Sequence, residues 1–259
     1  MSLTALITGA SSGLGLALAE TAARNGYDLI LVSSSLKNLE EAAEKIKKES
    51  SCRSVCLIEQ DLSRPNAAGK VMSQISQPVD LLINNAGTGR IGPYVSQCLE
   101  DIQKMNQLNV QTPMEFCLLL AQNMTERKKG QILNVCSIGA FTPGPYTAQY
   151  YATKSALCSF SLALRDELKS SSVNVCAYCP GTIRTGFFEK AGGSAQGPGM
   201  SPQQAAAAAW KGLQKNRGII FASRLQQASL LIPAAVRQKI IGKMKQKSMK
   251  TGSKKGKAV

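Results

Sequence analysis

Tyr150 and Lys154 stand four residues apart in the segment Gln149-Tyr150-Tyr151-Ala152-Thr153-Lys154. On a helix that spacing puts both on one face, one turn apart, with an ammonium beside a phenol. A phenol has a pKa near about 10, and a neighbouring cation favours its ionised form. Such a pair suits proton transfer to or from a carbonyl or alcohol oxygen. Upstream, Ser137 closes an apolar run and offers a hydroxyl that can hold the same oxygen. A Tyr-x-x-x-Lys pair is equally at home on an ordinary surface helix, so the elements around it must decide.

Those elements alternate. Leu3–Thr8 reads as a strand, followed by Gly9-Ala10-Ser11-Ser12-Gly13-Leu14-Gly15 and a helical pattern up to Asn25-Gly26. Strand, glycine turn and helix in that order let backbone amides approach a phosphate, and the helix N-terminus favours its charge. Residues 29–32, Val55–Glu59, 79–83, 131–136, Val173–Cys179 and 218–221 read as further strands. Leu36–Glu49, residues 67–75, a long stretch over 95–129 broken at Pro113, and the segment bearing Tyr150 and Lys154 up to about Ser170 read as helices. This alternation predicts an α/β fold with a parallel sheet and right-handed crossovers. Strand four runs into Asn84-Asn85-Ala86-Gly87 and strand six into Pro180-Gly181. Small residues at the carboxyl ends of strands suit close approach to a ligand.

The 259 residues, 44% hydrophobic, suffice for one large domain. No histidine is present, which excludes a histidine base. The eight cysteines lie in apolar segments and read as buried free thiols. The Cys176-Ala-Tyr-Cys179 spacing falls on a strand and is not read as a metal site. The expected setting is a reducing one, and the chain starts directly in a strand, which leaves no room for a secretory leader. The net charge of +15 is uneven: all 16 acids lie at or before Glu189, while 14 of the 31 Lys/Arg follow it.

The motifs Thr8-Gly9-x-x-x-Gly13-x-Gly15, Asn84-Asn85-Ala86-Gly87, Ser137, Tyr150-x-x-x-Lys154 and Pro180-Gly181 occur in one order over residues 1–222. In that order and spacing the chain resembles the short-chain dehydrogenase/reductase family. The resemblance implies a Rossmann-like, doubly wound parallel sheet of about seven strands flanked by helices. It also implies hydride transfer between a nicotinamide cofactor and a carbonyl or alcohol. In that scheme Tyr150 gives the proton, Lys154 lowers the Tyr150 pKa and binds the ribose, Ser137 orients the oxygen, and Asn109 anchors a water beside Lys154. Cofactor contacts are expected from Gly9, Ser11, Ser12, Gly13, Leu14, Gly15, Asp61, Leu62, Asn85, Ala86, Gly87, Tyr150, Lys154, Pro180, Gly181, Ile183 and Thr185.

Cofactor choice follows from charge. Enzymes that use NAD usually carry an acid at the end of strand two, on the ribose hydroxyls. Here Ser33-Ser34-Ser35-Leu36-Lys37 follows Val32, with no acid before Glu40. Ser34 and Lys37 are therefore expected to accept a 2′-phosphate, favouring NADP(H) over NAD(H). The expected substrate wall is apolar, built around Tyr94, Phe141, Tyr146 and Phe187, with no cationic cluster for an acidic group. The glycine-rich stretch 192–199 reads as a lid. Residues 223–259 form a basic extension whose apolar positions Leu225, Ala228, Ile232, Ala235, Val236, Ile240 and Met244 repeat at helical spacing, interrupted near Pro233. That stripe either packs on protein or lies on an anionic membrane, with a disordered basic end beyond it.

The reading is thus an NADP-dependent carbonyl reductase or alcohol dehydrogenase acting on a hydrophobic compound such as a lipid, steroid or long-chain carbonyl. It is expected in the cytoplasm or on the cytosolic face of a membrane, as a homo-oligomer. The alternative is a non-catalytic nucleotide-binding regulatory protein of the same fold. The basic tail lacks interleaved aromatics, which argues against nucleic acid as the partner.

Overall fold

Apolar runs form the strands and amphipathic runs the helices. The structure, a computed structural model, describes residues 3–49, 54–193 and 199–255. The strands are β1 (Leu3–Thr8), β2 (Tyr27–Ser33), β3 (Val55–Glu59), β4 (Leu81–Asn84), β5 (Gly130–Val135), β6 (Val173–Cys179) and β7 (Ile219–Phe221). They make one parallel sheet in the order β3-β2-β1-β4-β5-β6-β7. The chain order reverses between β1 and β4, the point where open α/β sheets leave a crevice at the strands' carboxyl ends.

The helices are α1 (Gly13–Arg24), α2 (Leu36–Glu49), α3 (Ala67–Met72), α4 (Leu99–Asn106), α5 (Thr112–Glu126), α6 (Ala148–Glu167), α7 (Phe187–Lys190), α8 (Pro202–Gln214), α9 (Arg224–Ser229) and α10 (Ala234–Lys255). Successive strand residues face opposite sides. Ala5, Ile7, Leu29 and Leu31 therefore pack with Leu18 and Trp210 on one face. Leu6, Ile30, Leu82 and Ile132 pack with Phe116 of α5 on the other. Each large side chain buried this way stabilises the fold by about 1.5–3 kcal/mol.

Several boundaries differ from expectation for local reasons. β4 runs from Leu81, and Asp80 just before it still bonds both neighbours, its N donating to Thr4 O (2.8 Å) and its O accepting from Gln131 N (2.9 Å), while its carboxylate accepts from Thr4 N (3.0 Å) and from Arg127 Nη1 (3.0 Å). The 95–129 stretch is two helices, and Pro113 lies in the first turn of α5, where its missing N–H costs little. The break is one turn earlier, a π-turn over Gln107–Gln111 that carries Asn109. Helix α8 was not anticipated. Its start is written in Ser201-Pro202-Gln203-Gln204, where the Ser201 hydroxyl accepts from Gln204 N and the Gln204 side chain accepts from Ser201 N.

At the C-terminus Pro233 stands between α9 and α10. The end expected to be disordered is helical to Lys255; the last four residues lie outside the described residues. The expected stripe is not the packing face of α10. Val236, Ile240 and Met244 are exposed, whereas the partly covered positions are Arg237, Ile241, Gly242, Lys245, Ser248 and Met249. That face carries small residues, and Gly242 sits against the Pro145 ring. No helix among the described residues is long and apolar enough to cross a membrane.

Cys176 and Cys179 point to opposite sides of β6, as a spacing of three on a strand requires. Cys176 joins the first core, and Cys179 joins Cys136 and Cys158. The sulfurs of Cys136, Cys158 and Cys179 lie within 4.8 Å of one another, a buried trio that the sequence did not reveal. The seven cysteines among the described residues are free thiols.

Candidate active site

Gly9 makes the turn after β1 with φ +63°, and its N–H is held by Val32 O at 2.8 Å. A side chain on Gly15 would put its first carbon 2.0 Å from Gly9 O, so the turn closes only with glycine there. Asn85 braces the turn from β4: its Nδ2 donates to Thr8 O (3.0 Å) and Gly9 O (3.2 Å). Thr8 Oγ1 accepts from Asn85 N and Ala86 N, both at 3.0 Å. No acid occupies the first turn of α1. The result is a bare, amide-lined helix start of the kind that cradles a pyrophosphate.

The turn opens into a cleft of about 740 Å³ along the carboxyl ends of the strands. Gly9, Ser11, Ser12, Gly13, Leu14, Gly15, Ser34, Asp61, Leu62, Asn85, Ala86, Gly87, Tyr150, Lys154, Pro180, Gly181, Ile183 and Thr185 all line it. Lys37 does not. It is exposed in the first turn of α2. The start of α2 is instead met by Glu59, whose Oε1 accepts from Leu36 N at 2.9 Å. A carboxylate from β3 thus stands next to the serine loop, a neighbour that only strand pairing reveals, since Ser33 pairs with Glu59.

At the other end of the cleft, β5 delivers Ser137 and α6 delivers Tyr150 and Lys154. Ser137 Oγ accepts from Gly139 N at 3.0 Å, which leaves its own hydrogen free to donate. Lys154 is buried, and its Nζ donates to Val135 O at 2.8 Å. The same Nζ lies 6.0 Å from the centre of the Tyr150 ring. Tyr151 points elsewhere, with its ring packed over Gly139 and Gly144. The π-turn pushes Asn109 fully inside: Oδ1 accepts from Thr88 N (2.9 Å), and Nδ2 donates to Thr88 O (2.8 Å) and Thr153 Oγ1 (3.1 Å). Asn109 Oδ1 and Lys154 Nζ converge on Gly87, where an added carbon would lie 3.2 and 3.4 Å from them. Asn106, nearby in sequence, is used differently and accepts from Gln149 Nε2 at 3.2 Å.

The electrostatics correct one expectation. Burial pushes the Tyr150 phenol up to about 12, and nearby Ser137 works in the lowering direction. Burial also pulls Lys154 below its ordinary value of 10.5. Desolvation is the largest influence on the phenol, so it outweighs the attraction of the Lys154 ammonium for a phenolate.

Of the four expected substrate-wall residues, Phe187 lines the cleft, its ring centre 5.6 Å from that of Tyr150. Phe141 turns behind the cleft onto Phe221 (5.7 Å). Tyr94 is about half exposed on the surface (51%). Tyr146, at φ +62°, is a brace: its O accepts from Gly92 N (2.8 Å) and its hydroxyl from Gln246 of α10. Phe188, Arg184, Lys190 and Lys245 also line the cleft. Lys245 was not foreseen, because α10 comes back from far along the chain. The core of the expected lid, residues 194–198, lies outside the described residues.

The sequence model described as short chain dehydrogenase matches residues 3–195. An uncharacterized oxidoreductase, YmfI of Bacillus subtilis, is 34% identical over 191 residues, covering 73% of this chain and 78% of its own. A fatty acyl-CoA reductase of Acinetobacter baylyi is 33% identical over 208 residues, covering 78% of this chain and 70% of its own. Across curated relatives that it matches, the chain spans 58% to 78% of their length. Among solved structures, a short-chain dehydrogenase from Sphingobium yanoikuyae in complex with NADPH superposes with a TM-score of 0.83 at 30% identity, over 92% of this chain and 95% of that one.

Proposed function

Because the chain belongs to the short-chain dehydrogenase/reductase family, we propose that it transfers a hydride between NADP(H) and the carbonyl or alcohol of a hydrophobic substrate. The observation that carries this reading is the convergence of Ser137, Tyr150 and Lys154 in the cleft opened by the glycine turn, with the buried Asn109 beside Lys154 at Gly87.

The bound dinucleotide supplies or takes the hydride. Tyr150 holds its proton at neutral pH and delivers it to the substrate oxygen. Ser137 donates its hydroxyl hydrogen to the same oxygen, its lone pair being taken by Gly139 N. Lys154, anchored by Val135 O, keeps two further N–H donors for the ribose, and its charge eases the phenolate that Tyr150 becomes. Asn109 positions this group by clamping Thr88 to Thr153 of α6. It is a positioning residue.

The serine loop without its own acid supports NADP(H), as does the NADPH bound to the Sphingobium relative. Phe187 and Phe188 support an apolar substrate body. On the outer side of α10, Val236, Ile240 and Met244 alternate with Lys239, Lys243 and Lys247, which supports contact with an anionic membrane surface. The reading is tested by incubating the protein with NADPH and a panel of aldehydes, ketones and long-chain carbonyls while following loss of reduced nicotinamide. Tight NADPH binding with no turnover on any of them favours the regulatory alternative.

A further inference from the structure

Helix α10 places a cation in the cleft. Its partly covered face presents Lys245, whose Nζ lies 4.5 Å over the Phe188 ring. The helix is held there by Gln246 on the Tyr146 hydroxyl and by Gly242 against Pro145, just upstream of Tyr150 on the chain. Phe188 adjoins Phe187, which touches the Tyr150 ring. Lys245 and Tyr150 thus line one cleft together with Phe187 and Phe188.

The charge around it is unbalanced. Lys154, Arg184, Lys190 and Lys245 line the cleft, against the single carboxylate of Asp61, which is paired with Arg64 at 3.2 Å. Among the described residues Lys245, Lys190 and Arg184 form no ion pair. The chain after Glu189 contains no acid to supply one. Burial of Lys245 pulls its pKa below the ordinary value, the mark of an ammonium partly removed from water without a counter-charge. A cation held over an aromatic face at the edge of an apolar wall fits a molecule with an apolar body and an anionic end.

We propose that Lys245 is a specificity residue that binds a carboxylate or phosphate at the end of the substrate remote from its carbonyl. The proposal rests on the reductase reading only for what the rest of the substrate does; the anion site itself can be tested without turnover.

The experiment is calorimetric titration of the NADP-saturated full chain with octanol, octanoate and octyl phosphate, for the unmodified protein, Lys245→Met and Lys245→Arg. Met keeps the apolar stem on Phe188; Arg keeps the charge. The expected result is that at least one anion binds about tenfold or more tightly than octanol. Lys245→Met should erase that preference, Lys245→Arg should retain it, and NADPH affinity should not change in either. Octyl phosphate ahead of octanoate assigns the site to phosphoesters, and the reverse assigns it to carboxylates. Equal binding of octanol and both anions by the unmodified protein overturns the proposal. So does a Lys245→Met effect confined to NADPH, which would give the lysine to the dinucleotide. An intact anion preference in a protein that reduces no carbonyl would sink the reductase reading and leave the site standing.

Discussion

The pH dependence of the two reaction directions follows from the Tyr150 environment. Burial raises the phenol from its ordinary 10 to about 12. A shift of two units disfavours the phenolate by about 3 kcal/mol. At pH 7 the ionised fraction is then on the order of one in 100,000, so nearly every molecule carries the proton that reduction requires. The sign is fixed by the raised value: the protonated form is complete below it and is lost only as pH rises through it. Reduced nicotinamide carries no ring charge, so its binding does not reverse the effect of burial. We expect kcat/KM for carbonyl reduction at saturating NADPH to stay level from pH 6 to about 8. At higher pH Lys154, whose burial lowers its pKa, loses its charge before an exposed lysine would. Alcohol oxidation, which begins from the phenolate, should rise about tenfold per pH unit over the same range. The assay is steady-state rate against pH in both directions on one substrate pair. A reduction rate that falls tenfold per unit between pH 6 and 8 would refute the reasoning, because the phenol would then be ionising near neutrality.

Three other outcomes are expected. NADPH should bind more tightly than NADH; Ser34→Asp should remove the preference, and Glu59→Gln, which takes a carboxylate from beside the serine loop, should strengthen it. Equal affinities in the unmodified protein, measured by fluorescence titration, would dispose of the argument from charge. Asn109→Ala deletes one buried and two partly buried hydrogen bonds and takes a partner from Thr88 N and Thr88 O, while Thr153 Oγ1 keeps its bond to Tyr150 O, so stability should fall by about 2–4 kcal/mol. Denaturant unfolding reads this directly, and a loss below about 0.5 kcal/mol would show that the clamp contributes nothing. Full-length protein should sediment with anionic but not neutral liposomes at low salt, and a chain ending at Ile232 should stay in solution; binding that survives high salt would argue against an electrostatic attachment.

The parts of the site that were legible in the sequence are those set by local geometry. A strand followed by Gly9-x-x-x-Gly13-x-Gly15 can hardly fold except as a tight turn, and Tyr150 and Lys154 share a helix face by the period of the helix alone. What was not legible depends on partners distant in the chain. Nothing near Phe141 or Tyr146 says that one turns onto Phe221 and the other braces α10. Glu59 reaches the serine loop only through the β2–β3 register. Apolar spacing in α10 picked out Val236, Ile240 and Met244, yet the helix docks through Gly242 on Pro145, Lys245 on Phe188 and Gln246 on Tyr146, contacts that apolar periodicity does not register. The π-turn at Asn109 has no hydrophobic period and appeared in the sequence only as a proline a few residues late.

The most direct measurement is a comparison of Tyr150→Phe with Tyr151→Phe. Tyr150→Phe keeps the ring against Phe187 and removes the hydroxyl that faces the cleft; Tyr151 lies outside it, over Gly139 and Gly144. Loss of a general acid costs about 10²–10⁴-fold in rate. The prediction is that Tyr150→Phe binds NADPH like the unmodified protein while kcat for carbonyl reduction falls by at least about a hundredfold, and that Tyr151→Phe stays within a few-fold. Near-normal turnover by Tyr150→Phe would contradict the account at its centre.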